Sequence, residues 1–179
     1  MMTDTPVPAF RNEITVLYGT ETGNCMRVSR RLWQQIKAAG LRARWLNTGK
    51  YRLPELSRER CLLVVISTYD DEEPPEDALA FMDFVMSAKA PRLPQLRYGV
   101  LALGATCYSA FCTVGLKLDA RLAELGATRL VNVGLCDTEF DKVATPWIAN
   151  TARVVSETCG VSALLPDRQV NVDQADVDG

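Results

Sequence analysis

The chain has 179 residues, 47% of them hydrophobic and 23% charged, with a net charge of −2. Such a composition suits one globular domain with room for a real core, and the slightly acidic balance leaves no electrostatic footprint for nucleic acid. There is no histidine, which excludes Ser-His-Asp and Cys-His catalysis, the usual proton shuttle and a His-ligated metal. Chemistry must come from a bound cofactor or from carboxylates, or be absent.

Residues 1–12 form an N-terminal extension. It carries Asp4, Pro6 and Pro8 and lacks the charged-then-apolar layout of a signal peptide. No apolar run approaches the roughly 20 residues that a membrane span requires, so the chain is expected in the cytoplasm. Six cysteines, at positions 25, 61, 107, 112, 136 and 159, include no C-x-x-C pair. Their scatter reads as reduced, buried, small apolar residues rather than a disulfide framework.

The elements then follow in order. Ile14–Tyr18 is β-branched and apolar with little alternation, the pattern of a buried strand. Tyr18-Gly19-Thr20-Glu21-Thr22-Gly23-Asn24 turns the chain into a helix from Cys25 to Ala39, with Val28, Leu32 and Ile36 at helical spacing and Gly40 as the stop. Leu41–Leu46 alternates as a second, more exposed strand, and Thr48–Arg60 is a polar connection. Cys61–Ile66 is the most apolar short run and reads as a central parallel strand. An acidic loop, Asp70–Asp77, leads to a helix over about 78–88. A fourth strand, Tyr98–Leu103, ends at Gly104, and a helix spans Phe111–Leu125. Thr128–Leu135 is a fifth strand, and Val143 to about Thr158 a last helix. The acidic tail, residues 161–179, is expected to be disordered.

Five strands alternating with helices predict an α/β, three-layer, doubly wound parallel sheet with both faces covered, over residues 13–160. The turn after the first strand has what an anion site needs: helix N-terminal amides, the positive end of the macrodipole, two threonine hydroxyls and two glycines. It is neither a Walker loop nor a G-x-G-x-x-G fingerprint, and an ordinary strand-to-helix turn with a threonine N-cap remains open. In the strand order 2-1-3-4-5, ligands sit at the carboxyl ends beside strands one and three. Tyr69 and Tyr108 follow strands three and four, so one anion loop and two tyrosines converge on one crevice.

Three stretches carry a resemblance: Tyr18–Asn24, Ser67-Thr-Tyr-Asp-Asp-Glu-Glu-Pro-Pro-Glu-Asp-Ala78, and Tyr98-Gly-Val-Leu-Ala-Leu-Gly-Ala-Thr-Cys-Tyr-Ser-Ala-Phe-Cys112. A fourth is Gly134-Leu-Cys-Asp137 with Trp147 downstream. In order and at matching spacing, they resemble the flavodoxin-like FMN-binding domain of diflavin reductases, the group of the sulfite reductase flavoprotein and the NADPH–cytochrome reductases. The resemblance implies FMN as cofactor. Thr20, Glu21, Thr22, Gly23 and Asn24 would wrap its phosphate. Thr68, Tyr69, Asp70 and Asp71 after strand three, with Leu103, Gly104, Ala105 and Tyr108 after strand four, would hold the ring between the tyrosines. Phe111, Cys112 and Asp137 complete the set.

This sequence departs from that family in the ring-holding loops. Where the family's third-strand loop reads Tyr/Gln-Gly-Asp/Glu-Gly-Glu-Pro-Pro, this chain has Tyr69-Asp70-Asp71-Glu72-Glu73-Pro74-Pro75, with acids in place of both glycines. Ala105 replaces a polar residue in the fourth-strand loop. Flavodoxin-like proteins use a glycine there because its peptide rotates toward the flavin N5, and left-handed backbone costs Asp and Glu more than Gly. Two readings follow: an FMN-binding electron carrier, or a degenerate interaction module that no longer holds flavin.

As a carrier the protein is an electron-transfer component of an oxidoreductase system rather than a complete enzyme. It would take electrons from a separate FAD/NAD(P)H reductase module and pass them singly to a haem or iron–sulfur protein, with the acidic loop Asp70–Asp77 as the candidate docking surface. Cys107 and Cys112 flank the ring loop, where structural thiols are a better reading than a redox sensor.

Overall fold

The computed structural model describes residues 12–20, 22–68, 73–104 and 112–159. β1 (Ile14–Gly19) leads into α1 (Asn24–Ala38), β2 (Ala43–Asn47) and then β3 (Cys61–Ser67). A short 3-10 turn, Glu76–Ala78, opens α2 (Leu79–Met86), which precedes β4 (Arg97–Leu103) and α3 (Thr113–Glu124). β5 (Thr128–Arg129), β6 (Gly134–Cys136) and α4 (Asp141–Thr158) complete the described chain.

The strands are all parallel and lie in the order β2-β1-β3-β4-β5, the doubly wound order expected from the alternation of elements. β3 is central, and Cys61 to Ile66 are all fully buried. Its alternate side chains feed two cores. Cys61, Leu63 and Val65 face the layer of α1 and α4, where Val28, Leu32, Ile36, Ile148 and Val155 close over them. Leu62, Val64 and Ile66 face α2 and α3, packing with Phe81, Val85, Val114 and Leu118. A continuous apolar run is therefore the signature of a strand covered on both sides.

Two expectations need correction. The second strand starts at Ala43 and runs to Asn47, because Gly40 ends the helix with φ 88 and Leu41 is spent burying the turn. The fifth strand is not continuous. The three-residue step from Tyr98 to Leu101 on β4 faces a five-residue step from Arg129 to Gly134, so two residues leave the ladder between β5 and β6. Trp147 of α4 fixes this break. Its indole Nε1–H donates to the carbonyl of Asn132 at 3.0 Å, and a Cβ at Gly134 would stand 2.5 Å from Leu101 Cδ1 and 2.7 Å from Trp147 Cδ1.

The polar connection 48–60 also does more than link strands. It folds into two 3-10 turns, Thr48–Lys50 and Leu53–Arg58, and delivers Glu59 to a position 1% exposed. Its carboxylate accepts from Tyr51 Oη at 2.6 Å, Thr15 Oγ1 at 2.8 Å and Arg44 Nη2 at 3.0 Å. Burial pushes the Glu59 carboxyl above its ordinary range, and hydrogen bonds from Tyr51 and Thr15, with Arg44, oppose the rise. A buried charge of this kind holds only while its donors are in place.

A carboxyl raised on folding contributes stability below its unfolded pKa and loses it as pH climbs through the folded value. Tyr51→Phe removes one opposing donor, so the carboxyl rises further. The variant should lose about 1–3 kcal/mol in urea unfolding, with a larger deficit at pH 7 than at pH 5. A pH-independent deficit would contradict this account.

Candidate functional site

The carboxyl ends of four strands line up in register. Gly19 pairs with Ile66, Ser67 with Leu103, and Leu103 with Cys136, so the segments after β1, β3, β4 and β6 share one edge of the sheet. Thr20, Thr22, Gly23, Asn24, Thr68, Leu103, Gly104, Cys112 and Asp137 all stand at this edge. Glu21, Tyr69, Asp70, Asp71, Ala105, Tyr108 and Phe111 lie outside the described residues, as does Cys107.

The loop after β1 begins under a steric constraint. A Cβ at Gly19 would sit 2.8 Å from Ala78 Cβ and 3.2 Å from Thr48 Oγ1, so only glycine lets the strand end pass there. Thr20 Oγ1 then accepts the amides of Gly23 at 2.9 Å and Cys25 at 3.3 Å. Gly23, not a threonine, is the cap residue of α1, with φ 93 and no side-chain cap bond. Thr20 supplies the capping oxygen from three positions upstream. The first helical bond runs from Arg27 N–H to Gly23 O at 3.1 Å, which leaves the Asn24 and Met26 amides without intrahelical acceptors. The first turn of α1 has no acidic residue of its own to offset the positive end of the helix.

Asp77 holds this loop. Its Oδ1 accepts the Thr20 amide at 3.1 Å, its Oδ2 accepts Asn47 Nδ2 at 2.7 Å, and its own carbonyl accepts Thr48 Oγ1 at 2.8 Å. By its place in the acidic run, Asp77 counts among the acids of the candidate docking loop Asp70–Asp77. Glu73 and Glu76 are exposed, but Asp77 is half-buried and turned into the fold. The one sequence signal for this was its place immediately before the apolar run that opens at Ala78.

The other three strand ends are tied to each other. Thr68 N–H donates to Leu103 O at 3.0 Å and Gly104 N–H to Cys136 O at 2.8 Å. Thr68 Oγ1 accepts the Val114 amide at 2.9 Å, so the end of β3 caps the start of α3. A Cβ at Gly104 would meet Cys112 N at 2.7 Å. Cys112 itself has φ 55, a left-handed conformation that costs a non-glycine residue about 1–2 kcal/mol. Its thiol donates to the carbonyls of Ala102 at 3.3 Å and Cys136 at 3.6 Å, which repays part of that strain. Asp137 Oδ1 accepts the Glu139 amide at 2.9 Å, and Asn24 Oδ1 accepts from Arg27 Nη2.

The described thiols at this edge are weak acids. Burial pushes Cys25 up to about 12, against hydrogen bonds with Ser67 and Thr20. It raises Cys112 to about 11 and Cys136 to about 12. All three stay neutral at pH 7, and Cys112 has the structural role expected of it.

A family model described as flavodoxin matches residues 16–147, a span that runs from β1 through all four strand ends to Trp147. The chain belongs to the flavodoxin family. It is 36% identical over 160 residues to the sulfite reductase [NADPH] flavoprotein alpha-component of Bacillus subtilis (strain 168), covering 89% of this chain and 26% of that protein. It is 37% identical over 163 residues to the same component of Yersinia enterocolitica, covering 88% and 27%. The chain thus spans about a quarter of the length of the curated relatives it matches. Among solved structures, it is similar to a flavodoxin of Streptococcus pneumonia TIGR4 (TM-score 0.68, 19% identity, 78% of this chain and 97% of that one). It is likewise similar to a single-residue mutant of flavodoxin from Pseudomonas aeruginosa (TM-score 0.67, 26% identity, 80% and 99%). Family membership carries the cofactor expectation, FMN, with it.

Asp77→Ala would leave the Thr20 amide and the Asn47 side chain without their acceptor. Unfolding in urea should show a loss of about 1–3 kcal/mol, and the Thr20 amide should exchange with solvent markedly faster. Wild-type exchange at Thr20 in this variant would show that Asp77 does not hold the loop.

Proposed function

We propose that this domain binds FMN at the carboxyl edge of its sheet and carries single electrons between a separate NAD(P)H-linked FAD reductase module and a haem or iron–sulfur partner. The observation that supports this most is the loop Thr20–Asn24. It presents two amides without intrahelical acceptors at the N-terminus of a helix that has no acid in its first turn. A doubly charged phosphate is the natural ligand of such a place.

The residues fit that end of the cofactor. Thr20 Oγ1 accepts two amides and hydrogen-bonds the Cys25 thiol, so its hydroxyl shapes the loop from within. Thr22 is exposed at the same turn and offers a hydroxyl. The Asn24 and Met26 amides supply two further donors, and nothing lies within 4 Å of where a Cβ on Gly23 would project. FMN would supply the one- and two-electron chemistry. The protein positions the phosphate and keeps its nearby thiols neutral. Tyr69 and Tyr108 are proposed as the aromatic walls of the ring site on the strength of their places in the sequence, with an aromatic face worth ~0.5–1.5 kcal/mol beyond area burial.

Electron partners would meet the domain near Asp70–Glu76, an acidic segment suited to steering a basic face on the other protein. Asp77 is excluded from that role by its inward bonds. No helix among the described residues is long and apolar enough to cross a membrane, and a cytoplasmic setting fits a carrier fed by NADPH-derived electrons.

Titrated with FMN and followed by quenching of flavin fluorescence, the chain should saturate. Thr20→Ala, which removes the oxygen that holds the Gly23 and Cys25 amides in place, should raise Kd at least about tenfold. Failure of the wild type to saturate would leave the interaction module as the better reading. Electron transfer to an acceptor protein should slow steeply with added salt if the acidic segment steers docking. A flat salt profile would remove that segment from the interface.

A further inference from the structure

α1 carries a charge distribution that the fold does not call for. Its 15 residues include Arg27, Arg30, Arg31 and Lys37 and no aspartate or glutamate, within a chain whose net charge is −2. Val28, Leu32 and Ile36 face the core. The cations gather on the outer side, where Met26, Arg27, Arg30, Gln34 and Lys37 are exposed. On a helix of 3.6 residues per turn these five fall in one stripe about 100° wide. The stripe begins in the first turn, beside the loop Thr20–Asn24, and follows the helix for about 22 Å.

The fold gains little from this arrangement. Cations in the first turns of a helix oppose its macrodipole, and like charges one turn apart repel, as Arg27 does with Arg30 and Arg31. Few contacts offset that cost. Arg31 pairs with Asp141 at 2.8 Å and donates to Thr145 Oγ1 at 2.8 Å, but the pair is exposed on both sides and therefore weak. Arg27 donates to the Asn24 side chain, a neutral acceptor. Lys37 lies 4.8 Å over the Trp33 ring. Arg30 has no side-chain partner among the described residues. Charge that costs stability and finds no acid within the fold is charge directed outward.

We propose that this face of α1 is a docking surface for a protein partner that presents a cluster of carboxylates. Guanidinium groups bind carboxylates through paired N–H donors, and Arg30 has all of its donors free for that purpose. Met26, 40% exposed, adds an apolar contact beside the charges. A single helix of this length offers little area against the roughly 800 Å² per partner of a stable interface, so the encounter is brief and steered by charge. A lipid surface fits less well, because a membrane-surface helix needs a broad exposed apolar face and that of α1 is spent on the core. A nucleic acid fits less well too, since Arg31 and Lys37 are already engaged and the chain as a whole is negative. The acidic segment Asp70–Glu76 suits a basic partner, so the two faces select partners of opposite charge. The inference about α1 does not require that flavin binds.

The test titrates the full-length chain into a fluorescein-labelled oligoglutamate peptide at low salt and reads fluorescence anisotropy. The peptide should bind, and added salt should weaken it steeply. Arg30→Glu should lower its affinity at least about fivefold, whereas Arg153→Glu, an equal change of charge on the exposed side of α4, should lower it less than about twofold. Urea unfolding gives a second, independent readout. Arg30→Glu should unfold at the same or a higher urea concentration than the wild type, because an acid replaces a repelled cation near the positive end of the helix. A structural role for Arg30 would instead lower that midpoint. No binding of the peptide by the wild type, equal losses in the two variants, or a lowered midpoint for Arg30→Glu would overturn the proposal. Tighter binding to phosphatidylglycerol vesicles or to duplex DNA than to the peptide would also overturn it, and would assign the face to a lipid or a nucleic acid.

Discussion

The carboxylate of Asp77 holds the backbone of Thr20, and the candidate site depends on that contact. β1 and β3 place their carboxyl ends side by side through register alone, but register stops at Gly19. Beyond it the chain must turn through a glycine with positive φ and start a helix whose Asn24 and Met26 amides have no intrahelical acceptor. That geometry exposes polar backbone and is unfavourable unless something fixes it. Asp77 binds the turn from below through the Thr20 amide and reaches the end of β2 through Asn47. Thr20 closes it from within through the Gly23 and Cys25 amides. The outcome is a preformed set of donors with its neighbouring acid already engaged elsewhere.

Most of the fold was legible in the residues because it rests on burial. The unbroken apolar run of Cys61–Ile66 could only be a strand covered on both faces, and Val28, Leu32 and Ile36 gave α1 its buried stripe. What the pattern did not disclose was set by single long-range contacts. The break between β5 and β6 follows from the shape of Trp147 and from its bond to Asn132. The burial of Glu59 inside a stretch that reads as polar linker follows from three donors on three different segments. Neither leaves a periodic trace.

The loop Thr20–Asn24 was legible for a different reason, namely that glycines and hydroxyls between a strand and a helix have few alternative uses. Even there the roles shifted on inspection. Gly23 rather than threonine occupies the cap position, and the hydroxyl that caps comes from Thr20. Asp77 reads as one more acid of the docking loop, since charge in a sequence carries no direction. Among the described residues, the thiols of Cys25, Cys112 and Cys136 near this edge are buried and raised above the ordinary range.

The central claim is that the loop at Thr20–Asn24 recognises a phosphate and that recognition of the flavin begins there. Comparing FMN with riboflavin, which differ only by that phosphate, isolates the contribution. Calorimetric titration of the flavin-free chain should give FMN an affinity at least about a hundredfold above that of riboflavin, a difference of about 2.7 kcal/mol. Equal affinities, or binding of neither, would contradict the account.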